Sequence, residues 1–223
     1  MDIESIRRLA DELGDVLPTD TLTQAERHEL IAHIQLRRFA RGEILYHRGD
    51  PAGDVFLIQE GLVKSQLQED DGRDLLLGYS GRGDFMGAES IFDHPRQTTV
   101  RAVHPTVALQ IRRTDAMRVL ERNPRAALFT FERLVAAAQK MTDILARNTF
   151  LDVPARLAHY LLELRRLSAD IPLNQDDIAA AVGTSREWAN KLLHRFERQG
   201  LIKIEHRQIR ILDEEGLTKE TRD

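Results

Sequence analysis

The sequence has no cysteine. That absence excludes disulfides, thiol nucleophiles, thiolate zinc sites and cysteine-held iron–sulfur clusters together. Long apolar runs are missing as well. The longest, Leu134 to Ala138 and Ile178 to Val182, have five residues each, whereas a membrane-spanning helix needs about 20. Aromatic residues make up only 5% of the chain, with Trp188 the single tryptophan. A large excess of either charge is missing too. The net charge is −4 over 223 residues, so charge has to be read locally. The opening MDIESIRRLADEL is charged throughout and lacks the apolar core of a signal peptide. A cytoplasmic location with no membrane partner is the expectation.

What is present is ordinary for a globular protein: 42% hydrophobic and 30% charged residues, in a length that suits one large domain or two small ones. Residues 2–36 read as one or two short helices, with Leu9, Leu13 and Val16 on one face and Leu22, Ala25, Leu30 and Ile34 on another. Thr23 and Glu26 have capping-box spacing. From Phe39 to Ile111 short β-rich runs take over: 44–46, 55–58, 62–68, 74–79, 98–103 and 106–111. Turn signals such as Gly49-Asp50-Pro51 and Asp70-Asp71-Gly72 separate them. Strands at this spacing predict an antiparallel sandwich or jelly-roll barrel.

After Thr114 the period becomes helical. Asn123-Pro124 marks a helix start. Ala127, Phe131, Leu134, Ala138, Met141 and Leu145 then follow at spacings of four and three, a heptad seam. Leu128, Val135 and Thr142 flank it. The seam predicts a dimer coiled coil through Phe131, Leu134, Ala138, Met141 and Leu145, with packing inside the chain as the alternative. Asp152-Val153-Pro154 breaks the helix. Beyond it come a helix from Ala155 to Leu167, two shorter ones at about 175–182 and 186–199, and a hairpin around His206 to Gln208. The last eleven residues read as frayed. The domains are therefore set at 1–114, 115–150 and 151–223, and the class is α+β.

The most informative segment is NQDDIAAAVGTSREWANKLLHRFERQ, 174–199. Two helices meet at a tight turn containing Gly183. Arg186, Glu187, Asn190, Lys191 and His194 share one face of the second helix. A short polar, basic face at the start of a second helix suits the major groove. Arginine can pair with guanine there, and glutamate can accept from the cytosine amino group. Ser185 and Gln175 join the candidate DNA contacts. Thr184 and Glu187 also fit a capping box, a structural role compatible with the first. Residues 151–212 hold ten basic and eight acidic side chains, a local balance that favours phosphate.

A barrel, a long helix and a winged helix-turn-helix in that order resemble the bacterial CRP/FNR family of transcription regulators. The resemblance rests on VFLIQEGLVK (55–64), GDFMGAESIF (83–92), TFLDVPARLAHYLLEL (149–164) and IAAAVGTSREWANKL (178–192). It implies an N-terminal β-roll effector domain, a dimerisation helix and a homodimer bound to double-stranded DNA. It also implies that Arg186, Glu187 and Lys191 read a TGTGA-type half-site, with RNA polymerase as a further partner. Lys191 stands where arginine is commoner and cannot pair bidentately. Trp188 has no evident counterpart and is expected to pack. The link between Leu167 and Asn174 is shorter than the loop that carries the main polymerase contact in the cyclic-AMP receptor proteins.

The same resemblance supplies an effector pocket: Gly87, Glu89, Arg96, Gln97, Met141 and Thr142. Family members that bind cyclic AMP carry a Gly-Glu pair and an Arg-Ser or Arg-Thr pair. Here the acid is displaced by one residue, which in an extended segment turns Glu89 to the opposite face unless a bulge restores it. An amide, Gln97, replaces the hydroxyl. The alternatives are cyclic AMP, another small ligand and no effector at all. No metal ligand set is legible. His47, His94 and His104 lie in separate turns, and no Walker loop, G-x-S-x-G or HExxH occurs, so an enzyme is not expected.

Overall fold

The computed structural model describes residues 34–68, 74–168, 171–172, 174–206 and 208–221. The helices expected over 2–33, and the Thr23–Glu26 box, lie outside the described residues. The chain forms two compact units. Among the described residues, one comprises 34–63 with 81–139, and the other 64–68 and 74–80 with those from 140 onward.

The first unit is built on strands β1 (Gln35–Phe39), β2 (Ile44–Tyr46), β3 (Val55–Glu60), β6 (Phe85–Met86), β7 (Thr99–Ala102) and β8 (Thr106–Ile111). β1, β8, β3 and β6 lie in that order in one antiparallel sheet. β2 pairs antiparallel with β7. Burial of apolar side chains drives this arrangement. Phe39, Phe56, Ile58, Tyr46, Val100 and Ala102 point into one core with Val63 and Ala108. Phe56 meets Phe39 edge-on and stacks on Tyr46, with ring centres 6.0 and 6.2 Å apart. Gln35 and Leu36 belong to β1 rather than to a helix, which corrects the expectation for the end of 2–36. Gly61, at φ 96°, turns the chain where any side chain would strike Pro105 and Thr106.

Two helices follow, α1 (Arg113–Arg122) and α2 (Pro124–Phe150). The Asn123 side chain accepts from the Ala126 N–H at 3.0 Å and caps α2. At 1.5 Å per residue, α2 is about 40 Å long. Among the described residues nothing buries its seam: Phe131 is 61% and Leu145 68% exposed, and Leu128, Leu134, Val135 and Met141 are also open.

The second unit joins the neighbouring strands β4 (Val63–Gln68) and β5 (Asp74–Ser80) to the C-terminal elements. These are α3 (Val153–Leu167), β9 (Ile171–Pro172), α4 (Gln175–Val182), α5 (Arg186–Arg198), β10 (Ile202–Glu205), β11 (Gln208–Ile211) and α6 (Glu214–Lys219). Asp152 caps α3 through the Ala155 N–H. β10, β11 and β9 form a small antiparallel sheet. Its core is Leu157, Leu161, Leu164, Ile171, Ile178, Leu193, Phe196 and Ile209, all buried. Residues 213–221 are not frayed, which corrects the expectation for that part of the C-terminal end. Asp213 caps α6, Leu217 is fully buried, and Glu220 pairs with Arg195. One apolar residue with a good cap suffices to dock that turn. Lys64 of β4 donates to both Asp177 oxygens of α4, at 2.7 and 2.9 Å, and the Tyr160 hydroxyl donates to that of Tyr79 at 3.2 Å. No described helix is long and apolar enough to cross a membrane.

Candidate nucleic-acid interface and effector pocket

α4 starts at Asn174, whose side chain accepts from the Asp176 and Asp177 N–H groups. It stops at Gly183, which adopts φ 63°. Arg156 secures that turn: its Nε donates to the Val182 carbonyl and its Nη1 to that of Leu151, both at 2.8 Å. Ser185 then caps α5, accepting from the Trp188 N–H at 3.2 Å. The cap is therefore Ser185 and not Thr184, which corrects the T-x-x-E reading. The Glu187 carboxyl is held below the usual range by its own backbone N–H and by the Ser185 hydroxyl. It stays ionised and fully exposed, an acceptor facing water.

The buried face of α5 is Ala189, Leu192, Leu193 and Phe196. Opposite it, Arg186, Glu187, Lys191 and His194 are exposed, with Asn190 half-buried beside them. Gln175 links the two helices. Its amide N–H donates to the Asn190 side-chain oxygen at 3.0 Å, and its oxygen accepts from the Arg186 Nε at 2.9 Å. Asp176 stands 3.7 Å from the Arg186 Nη1. Five of the predicted DNA-contact residues thus lie together with Lys191 at the start of α5. Asp176 was not foreseen as a neighbour of Arg186. Trp188 is not packed as expected: its side chain is 45% exposed.

In the β-roll unit, Gly87, Glu89 and Arg96 come together. Arg96 is only 4% exposed. Its Nη1 donates to the Gly87 carbonyl at 3.0 Å and its Nη2 to that of Asp54. The guanidinium lies over the Tyr46 ring, 4.2 Å from its centre. Burial pushes the Tyr46 hydroxyl well above its ordinary range. Gly87, at φ 78°, leaves the space into which the Arg96 head inserts, and a Cβ there would collide with Nη1. Glu89 does not turn away. Residues Ala88–Phe92 form a 3-10 turn, not extended chain, and bring the Glu89 carboxylate within 4.0 Å of Arg96. Gln97 is exposed, and its amide donates to the Pro95 carbonyl at 2.8 Å. Met141 and Thr142 are exposed on α2. Tyr46 escaped the sequence reading, which gave no sign that this strand residue would cover an arginine fifty positions on. Among the described residues, no group of histidines and carboxylates could hold a metal ion.

A nucleotide-type β-roll followed by a winged helix-turn-helix defines a DNA-binding transcription regulator. Residues 36–123 match the cyclic nucleotide-binding domain, and residues 155–220 the Crp-like helix-turn-helix domain. The chain is 32% identical over 204 residues to the CRP-like cAMP-activated global transcriptional regulator of Mycobacterium tuberculosis, covering 86% of this chain and 91% of that one. It is 29% identical over 194 residues to the cAMP-activated global transcriptional regulator Vfr of Pseudomonas aeruginosa, covering 79% and 88%. The solved structure of a CRP-family transcriptional regulator from Thermus thermophilus superposes with a TM-score of 0.73 at 26% identity, covering 83% of this chain and 96% of that one. The chain belongs to the CRP/FNR family of transcription regulators.

Proposed function

We propose that the protein is a homodimer that reads a near-palindromic TGTGA-like operator without requiring cyclic AMP. The observation that carries the DNA reading is the ordered polar face of α5, where Gln175 aligns Arg186 with Asn190 beside Glu187 and Lys191. Arg186 is assigned to guanine, Glu187 to cytosine, and Lys191 to a base edge or phosphate. Ser185 and Gln175 approach the backbone. The uncovered stripe of α2, with Phe131, Leu134, Ala138, Met141 and Leu145, is the assigned dimer contact. A two-fold dimer sets two reading helices about one DNA turn apart, hence the near-palindrome. The domain limits 1–114, 115–150 and 151–223 follow the same division of labour. RNA polymerase is a further proposed partner, engaged other than through the short link after α3.

Independence from cyclic AMP is supported by Arg96. Both of its terminal nitrogens serve backbone carbonyls, its face is covered by Tyr46, and Gln97 turns to Pro95. A second reading, activation by cyclic AMP, is favoured by one observation: the Glu89 carboxylate stands 4.0 Å from Arg96, so an acid and an arginine lie side by side although the acid is displaced by one residue in sequence. The named relatives, which are cAMP-activated, lean the same way. Another small ligand would use the same pocket. Fluorescence anisotropy of a labelled TGTGA palindrome, with and without cyclic AMP and against a scrambled duplex, tests both. Equal tight binding in both arms supports the first reading. Tight binding only with cyclic AMP supports the second. No preference over the scrambled duplex rejects the half-site.

A further inference from the structure

The chain has one tryptophan, and it sits on the reading helix. At 100° per residue, Trp188 lies about 40° from Leu192, on the buried face of α5, and about 60° from Lys191, on the open face. It occupies the seam between them. The other large apolar side chains of α5 are shut away, with Leu192, Leu193 and Phe196 no more than 3% exposed. The indole of Trp188 is 45% exposed. Its backbone N–H is held by Ser185, and among the described residues its Nε1–H meets no acceptor.

The width of the groove fixes what such a position meets. An α-helix with its side chains is about 10–12 Å across and the major groove about 12 Å wide. Residues at the centre of the open face meet base edges. Residues on the seam meet the groove wall, which is deoxyribose and phosphate. An indole offers what that wall lacks a partner for: a flat apolar body for the sugar and a single N–H donor for a phosphate oxygen. Lys191, one turn on along the same side, adds positive charge.

We propose that Trp188 is a DNA-positioning contact, its ring packed on a deoxyribose and its Nε1–H donated to a phosphate. It sets the depth and register of α5 without reading sequence. The inference rests on the DNA-binding reading of α5.

The test uses the full-length protein, a labelled TGTGA palindrome and a scrambled duplex at low salt. Anisotropy reports binding independently of the tryptophan, and emission from Trp188 reports the contact. On saturation with either duplex, Trp188 emission should shift and its quenching by acrylamide should fall at least about twofold. Trp188→Ala should weaken both duplexes by the same factor, about tenfold, and Trp188→Phe should restore part of it. Arg186→Ala should instead erase the preference between them. Thermal midpoints of the variants establish that they fold. Unchanged emission and accessibility in a complex that anisotropy shows to be formed would overturn the inference and leave the DNA reading standing. So would wild-type affinity in Trp188→Ala. A loss confined to the TGTGA duplex would overturn the wall assignment in favour of base reading. If the wild type binds neither duplex, the DNA reading and the inference fail together.

Discussion

The Arg96 guanidinium stacks on the Tyr46 ring at 4.2 Å while donating to the carbonyls of Gly87 and Asp54. Replacing Arg96 with alanine strips both carbonyls of a donor and leaves a hole under the ring. The β-roll should lose about 2–4 kcal/mol, read by urea denaturation. Gly87→Ala should cost about 1–3 kcal/mol by displacing the same head group and straining a left-handed backbone. A change below about 0.5 kcal/mol in either variant would show that Arg96 is not held as described.

The α2 stripe gives a second prediction. Leu134→Glu with Leu145→Glu puts two charges into the proposed dimer seam. Sedimentation should shift from dimer to monomer, and operator affinity should fall sharply because two linked heads become one. A wild type that already sediments as a monomer would remove the palindrome argument.

If Arg186 contacts DNA as proposed, Asp176 competes for it. The pair is exposed at 3.7 Å, so it contributes little to folding. Its removal should matter on the DNA side. Asp176→Asn should tighten duplex binding by about threefold at low salt, with a smaller gain at high salt. Anisotropy titrations at two salt concentrations would reveal this, and weaker binding would assign Asp176 a positive role instead.

Glu197 fastens the hairpin of β10 and β11 to α5 by accepting from the Ile204 N–H at 2.9 Å. That bond holds its carboxyl below the ordinary value of 4.5. A depressed carboxyl stabilises the fold above its unfolded value, and the benefit fades as pH falls through the folded one. The melting temperature of the wild type should therefore drop faster below about pH 4.5 than that of Glu197→Gln, whose amide does not titrate. Parallel curves would mean that the bond carries no linkage.

The residues of α5 were legible because a 3.6-residue period fixes a face from spacing alone. Strands β2, β3, β7 and β8 were legible because short β-rich runs are cut off by turn signals, even though Val55 to Gln59 of β3 are buried on both faces and show no polar alternation. β1 was not, because QLRRF buries only Phe39. For Glu89 the extended reading failed for a physical reason: the segment winds into a 3-10 turn after a left-handed glycine, and that turn rather than a bulge restores its direction. Trp188 looked like core because indoles usually are, and nothing local marks a seam. The Arg96–Tyr46 and Lys64–Asp177 partnerships lie far apart in sequence and leave no trace in either residue's neighbours.

The Lys64–Asp177 bridge spans 113 positions. During synthesis at about 5–20 residues per second, Lys64 leaves the ribosome roughly 6–23 seconds before its partner. For that interval β4 and β5 belong to a unit whose other half has not been made. A gene fragment beginning at residue 151 would have the opposite defect. It would encode the reading helices but leave Asp177 and Tyr160 without the two side chains that meet them. The head is thus assembled from segments made before and after α2, and it cannot close until Asp177 has emerged.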